Sequence, residues 1–115
     1  MSDIKELTQK MVKFRDERDW KQFHNPKDLA IDLSLESGEV LQLFLWKNAE
    51  EIEKFRKTNK EDIADELADV MNCLLLMAHD LDIDMAEACE NKNAKNSVKY
   101  SVEKCKGNHK KYTEF

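Results

Sequence analysis

Turn-forming residues are nearly absent: one proline and two glycines serve 115 residues, which leaves no hairpin signal and implies a single domain whose core comes from helix packing. Long apolar runs are absent as well. The longest, CLLLMA at residues 73–78, is far too short to cross a bilayer. The opening MSDIKELTQK has neither a basic patch before an apolar core nor a small-residue cleavage site, so a cytoplasmic protein with no membrane partner is expected. Cysteine is scarce and odd in number: Cys73, Cys89 and Cys105 are too widely spaced for a zinc-type pair, and reduced thiols are expected rather than a disulfide framework.

A broad basic surface is also missing. The formal net charge is −5, but residues 91–115 hold seven lysines against Glu103 and Glu114, a balance of +5 that leaves −10 on residues 1–90. An acidic body of this kind excludes a long nucleic acid as partner, because neutralising a phosphate backbone needs many cations on one face. A smaller polyanion can still be held between metal-loaded acids and a lysine-rich end.

What remains is 41% hydrophobic and 37% charged residues, the mixture of amphipathic helices. Asp3 and Glu6 have capping-box spacing ahead of Ile4, Leu7, Met11 and Phe14 on one stripe, which predicts a helix over 3–19. After WKQFHNP, the Asn25-Pro26 pair opens a helix to about 47. NAEEIEKFRKTN holds a short helix, and Asn59 caps a third long one over 60–81, with Ile63, Leu67, Val70, Leu74, Met77 and Leu81 as its core stripe. Asp84 and Glu87 form another capping box that starts a helix to about 100. The expected fold is therefore all-α, a four-helix bundle over residues 1–100 with a lysine-rich tail over 101–115. VMNCLLLMA, residues 70–78, is apolar nearly all round, which predicts that a second subunit packs on this helix and that the protein is a homo-oligomer.

One rule is broken inside this pattern. On the second helix Leu29, Leu33, Glu36, Val40 and Leu43 follow core spacing, so Glu36 occupies a position that the stripe reserves for an apolar residue. Glu39 is its neighbour one turn on, and DELADV of the third helix repeats the arrangement with Glu66 and Asp69. Antiparallel packing brings the four carboxylates together, and burying like charges without compensation costs several kcal/mol unless a cation resolves it. An all-oxygen set favours a hard ion, Mg²⁺ or Mn²⁺, which in turn points to phosphate chemistry. The bland alternative is that such spacings are ordinary on helix surfaces. A di-iron bundle needs a histidine three residues after a glutamate, and none of the three histidines has that context.

ESGE at 36–39 and ELAD at 66–69 resemble the ExxE…ExxD signature of the MazG-like, all-α nucleoside triphosphate pyrophosphohydrolases. RDWKQFHNPKDLAIDLSLESGEVLQLFLWK and the closing KYTEF resemble the dCTP pyrophosphatase branch of that family. The resemblance implies hydrolysis of a nucleoside triphosphate to monophosphate and pyrophosphate, in nucleotide-pool cleaning, by a tetramer built from dimers. It implies Glu36, Glu39, Glu66 and Asp69 as Mg²⁺ ligands, with Glu36 or Glu39 as the catalytic base. Trp20, His24 and Trp46 become base and sugar contacts, whereas Phe23 is expected to pack. Lys92 and Asn96, one turn apart, resemble the family's KxxxN segment and would donate to phosphate oxygens, with Lys99 and Tyr100 following on the same face; the plain alternative is a solvated lysine face. The sequence departs from its relatives at Ala94 (often an acid), Cys73 (commonly tyrosine), and Ser97 and Val98 (which can be arginines). The rival function is a non-catalytic helical interaction or nucleotide-sensing module.

Overall fold

The computed structural model describes residues 3–114; Met1 and Ser2 of the expected first domain, and Phe115 of KYTEF, lie outside the described residues. Among the described residues there are helices and no strand, and no helix is long and apolar enough to cross a membrane. The chain divides into two compact units, Met1–Ile83 and Asp84–Phe115.

The first unit holds four helices: α1 (Ile4–Glu17), α2 (Pro26–Phe44), α3 (Ala49–Thr58) and α4 (Lys60–Asp80), with a 3₁₀ turn over Lys21–Phe23. Local chemistry sets their starts. The Asp3 carboxylate accepts from the Glu6 N–H at 2.8 Å, one half of the expected box. The Asn25 side chain accepts from the Asp28 N–H at 2.9 Å, with Pro26 in the first turn. Asn48 and Glu51 complete a reciprocal box at α3. Asn59 does not cap α4 through its side chain as expected, because that side chain is taken: its Oδ1 accepts from the Thr58 hydroxyl and its Nδ2 donates to Asp62. Helix α2 stops at Phe44, short of the expected 47, where the Lys47 ammonium donates to the Leu43 carbonyl and the Phe44 and Phe55 rings meet edge to face at 5.9 Å.

Helix α4 is the centre of this unit, with α1, α2 and α3 packed on it. Its buried residues are Cys73, Leu75, Leu76 and Ala78. Of the stripe expected to form the core, Ile63, Val70, Leu74 and Met77 are half-buried, whereas Leu67 at 53% and Leu81 at 43% are exposed within one chain. The reason lies in the helix itself: it is apolar on nearly every side, so periodicity marks no single inward face, and α1 and α2 occupy only part of its circumference.

The fully buried residue of α1 is Arg15, 1% exposed, beside the expected apolar stripe rather than on it. Its Nη1 donates to both carboxylate oxygens of Asp80 at 2.9 and 2.8 Å, and its Nε donates to Asp16 at 3.2 Å. Partial burial alone would raise the Asp80 carboxyl, but the Arg15 and His79 bonds outweigh it and hold the group below its usual range. The pair ties the C-terminal end of α1 to the C-terminal end of α4.

In the second unit α5 (Met85–Lys99) starts where the Asp84 carboxylate accepts from the Glu87 N–H at 3.1 Å, and a one-turn α6 (Val102–Cys105) follows. The segment read as a tail folds back within this unit: the Tyr112 ring meets Tyr100 edge to face at 6.0 Å and lies 4.7 Å from the Lys99 ammonium.

Removing one partner of a buried ion pair leaves the other charge unpaired, at a cost of about 3–5 kcal/mol, whereas an exposed pair contributes about 0–1 kcal/mol. Asp80→Ala is therefore expected to lower unfolding stability by about 3 kcal/mol in urea titration. Glu53→Ala, which breaks the exposed Arg56 pair, should change it by less than about 1 kcal/mol. Equal effects would show that Arg15 is held by packing alone.

Candidate active site

Three contacts give the relation of α2 to α4. The Cys73 thiol donates to the Leu29 carbonyl at 3.4 Å, and farther along α2 the Glu36 and Glu39 carboxylates meet Glu66 and Asp69. Numbers rise on one helix as they fall on the other, so the two helices are antiparallel, the arrangement the sequence required. One oxygen from each of Glu36, Glu39, Glu66 and Asp69 lies within 4.8 Å of the others.

Among the described residues none of the four acids is in an ion pair. Glu36 Oε2 and Glu66 Oε2 are buried and take no hydrogen bond. Burial, then a hydrogen bond shared with Glu39 and the charges of Glu39, Asp69 and Asp32, pushes the Glu36 carboxyl up to about 7. The Glu66 carboxyl is also raised, first by the hydrogen bond it shares with Glu39 and then by burial.

These features fit a hard divalent cation. Oxygens about an octahedral ion at 2.0–2.1 Å are roughly 3 to 4.2 Å apart, so four oxygens within 4.8 Å need only a small contraction to ligate it. The two buried oxygens without hydrogen bonds are the lone pairs such an ion would take up.

The acids open onto a cavity of about 320 Å³, to which Glu36 and Asp69 belong. Its far walls include Trp20, His24, Phe14 and Arg15, and its middle Asp32, Asn72 and Cys73. Trp20 rests edge to face on Phe14, with centroids 5.8 Å apart, and stays half open; His24 Nδ1 is buried and unpartnered. Burial, then Asp32 and Glu36, pushes the Cys73 thiol up to about 11, which makes it a neutral wall group, and it is outside the set of converging carboxylates.

The structure thus brings Trp20 and His24 to the acids. Trp46 is not in this cavity of its own chain: α2 separates it from His24 by nearly 30 Å at 1.5 Å per residue. It is 91% exposed, with a left-handed φ of +66° that a bulky residue rarely adopts. Phe23, expected to pack, is exposed, because a one-turn 3₁₀ segment offers it no neighbouring helix. Lys92 and Asn96 belong to the second unit, one turn apart on α5, Lys92 exposed and Asn96 half-buried, followed by Lys99 and Tyr100 against Tyr112. Sequence reading missed Asp32, Asn72 and Arg15 as cavity residues. Asp32 could have been found, since it lies one turn before Glu36 on the same face; Arg15 carried no comparable signal.

The MazG-like family model matches residues 31–115. The dCTP pyrophosphatase 1 of Mus musculus is 35% identical over an alignment of 117 positions that spans 100% of this chain and 67% of that protein. That of Homo sapiens is 32% identical over the same shares. A pyrophosphatase from Archaeoglobus fulgidus DSM 4304, known from its crystal structure, is similar with a TM-score of 0.81 and 33% identity, covering 88% of this chain and 94% of that one.

The raised Glu36 and Glu66 carboxyls set a pH dependence for metal-free protein. Between the ordinary value of 4.5 and about 7 the folded chain holds a proton at Glu36 that the unfolded chain has released, so stability is full below that window and is lost as pH rises through it. Melting temperatures of EDTA-treated protein should fall from about pH 5 to pH 7.5, and a Glu36→Gln, Glu66→Gln double variant should lose that slope. An unchanged slope in the double variant would contradict the assignment.

Proposed function

Because the chain belongs to the MazG-like family and is a nucleoside triphosphate pyrophosphohydrolase, we propose that it hydrolyses a dCTP-like deoxynucleoside triphosphate to monophosphate and pyrophosphate, with Mg²⁺ at Glu36, Glu39, Glu66 and Asp69. The observation that supports this most is the continuity of two features: four convergent carboxylates with buried oxygens that lack hydrogen bonds, and a nucleoside-sized cavity sharing Glu36 and Asp69 with them. Mn²⁺ suits the same oxygens. Nucleotide-pool cleaning in the cytoplasm is the role we assign.

A divalent cation bound among these oxygens supplies neutralisation of the polyphosphate charge and a lowered pKa for the attacking water. The chain's own groups do the rest. Glu36 borders both the acids and the cavity, and Glu39 shares hydrogen bonds with Glu36 and Glu66, so this pair is assigned to orient the water and accept its proton. Trp20 offers a ring face for the base, and His24 Nδ1 an unfilled hydrogen-bonding position beside it. We assign phosphate oxygens to Lys92 and Asn96 as donors, with Lys99 and Tyr100 in support.

The open Leu67 face of α4 and the strained, exposed Trp46 support a homo-oligomer, a dimer of dimers, in which Trp46 of one copy closes the cavity of another. Residence of a bulky side chain at positive φ costs about 1–3 kcal/mol, which a contact across copies offsets.

Glu39→Gln is expected to lower kcat at least about a hundredfold while leaving the helical circular dichroism unchanged. Full Mg²⁺-dependent release of pyrophosphate by that variant would remove the assignment. Sedimentation at micromolar protein should show an assembly larger than the 13.5 kDa chain; a monomer there contradicts the shared cavity.

A further inference from the structure

Four of the carboxylates at this site are accounted for by a cation; a fifth is not. Asp32 lines the same cavity, one turn before Glu36 on α2, but it is outside the set whose oxygens converge. It is in no ion pair among the described residues. The Cys73 thiol in the wall lies within reach of both Asp32 and the Leu29 carbonyl and has a single proton to divide between them. A carboxylate offers about four acceptor positions, so capacity remains at Asp32 for a ligand in the cavity.

The charge of Asp32 works against the site as it stands. It adds to the repulsion that raises Glu36, and it faces a cavity meant for a polyanion. A ligand that brings hydrogen-bond donors to this exposed carboxylate offsets that opposition.

Which donors follows from position. In the antiparallel pair of α2 and α4, Asp32 and Cys73 lie about one turn, roughly 5.4 Å, beyond Glu36 and Asp69, toward the Trp20 and His24 end. With phosphates at the acids and a base against Trp20, the part of a nucleotide that spans this level is its pentose. A pentose presents hydroxyl donors, and an acidic side chain on sugar hydroxyls is a recognised way to read a nucleotide.

We propose that Asp32 accepts a hydrogen bond from the 3′-hydroxyl of the bound deoxynucleotide, so that the site discriminates against sugars that lack it. This rests on the pyrophosphohydrolase assignment above and deepens it. Asp32 touches substrate and not the reacting phosphorus; its effect belongs in binding of ground and transition states alike, hence mainly in KM.

The test compares kcat/KM of wild type, Asp32→Ala and Asp32→Asn on CTP, dCTP, 2′,3′-dideoxy-CTP and dUTP, with Mg²⁺, reading pyrophosphate release; the asparagine variant keeps the side-chain shape beside Cys73 should the alanine variant melt early. Wild type is expected to lose about tenfold on dideoxy-CTP relative to dCTP, and CTP, which keeps the 3′-hydroxyl, should lose as much as dCTP does when Asp32 is replaced by alanine. In the alanine variant the ratio of dCTP to dideoxy-CTP should fall toward one through a higher KM for dCTP, with the ratio of dCTP to dUTP unchanged. A wild type that uses dideoxy-CTP as well as dCTP, or an Asp32→Ala enzyme that keeps the hydroxyl preference, overturns the proposal. A variant that instead loses its preference for cytosine over uracil overturns it in favour of a base-reading carboxylate. A wild type that releases pyrophosphate from none of the four strikes the underlying assignment itself, a result distinguishable from the others.

Discussion

Mutual repulsion among Glu36, Glu39, Glu66 and Asp69 is the constraint around which α2 and α4 are organised. Two i, i+3 pairs on antiparallel helices must meet if the apolar surfaces on either side are to pack, and among the described residues no arginine or lysine is paired with them. Basic residues are plentiful in this protein, yet the one fully buried cation, Arg15, is committed to Asp80 and Asp16. The charge balance at the acids is therefore left for something the protein binds. The same repulsion lifts Glu36 and Glu66 out of the usual carboxylate range and links the fold's stability to the ligand that relieves it.

The cavity beside the acids has a graded chemistry. Anionic oxygens stand at one end, ring faces and an unpartnered imidazole nitrogen at the other, and Asp32, Asn72 and a neutral Cys73 thiol in between. That order matches the order of charge along a nucleotide from polyphosphate to base, and two proteins named dCTP pyrophosphatase 1 share about a third of their aligned residues with this chain. Family membership and cavity chemistry both point to a nucleotide.

Much of this was legible from residues alone, and the reason differs from part to part. Glu36 was visible because it interrupts an apolar stripe, and Glu66 with Asp69 because they repeat its spacing; helix periodicity converts such sequence intervals directly into shared faces. Asn25-Pro26 and Asp84 announced helix starts by local hydrogen bonding that needs no tertiary context. The Arg15–Asp80 pair was not legible, since its members are 65 residues apart and no local pattern links them. The inward face of α4 was misjudged because a helix apolar all round leaves the choice to its neighbours. Asp32 looked like an ordinary polar residue until the cavity showed what lies in front of it, and Trp46 gave no sign in sequence of its left-handed backbone.

The most direct measurement is a titration of Mn²⁺ into metal-free protein, followed by electron paramagnetic resonance of the free and bound ion, with Glu66→Gln in parallel. Saturable binding in the wild type that weakens sharply in the variant is what four convergent carboxylates predict. Binding that is absent, or indifferent to the loss of Glu66, would contradict the idea that a cation completes this site.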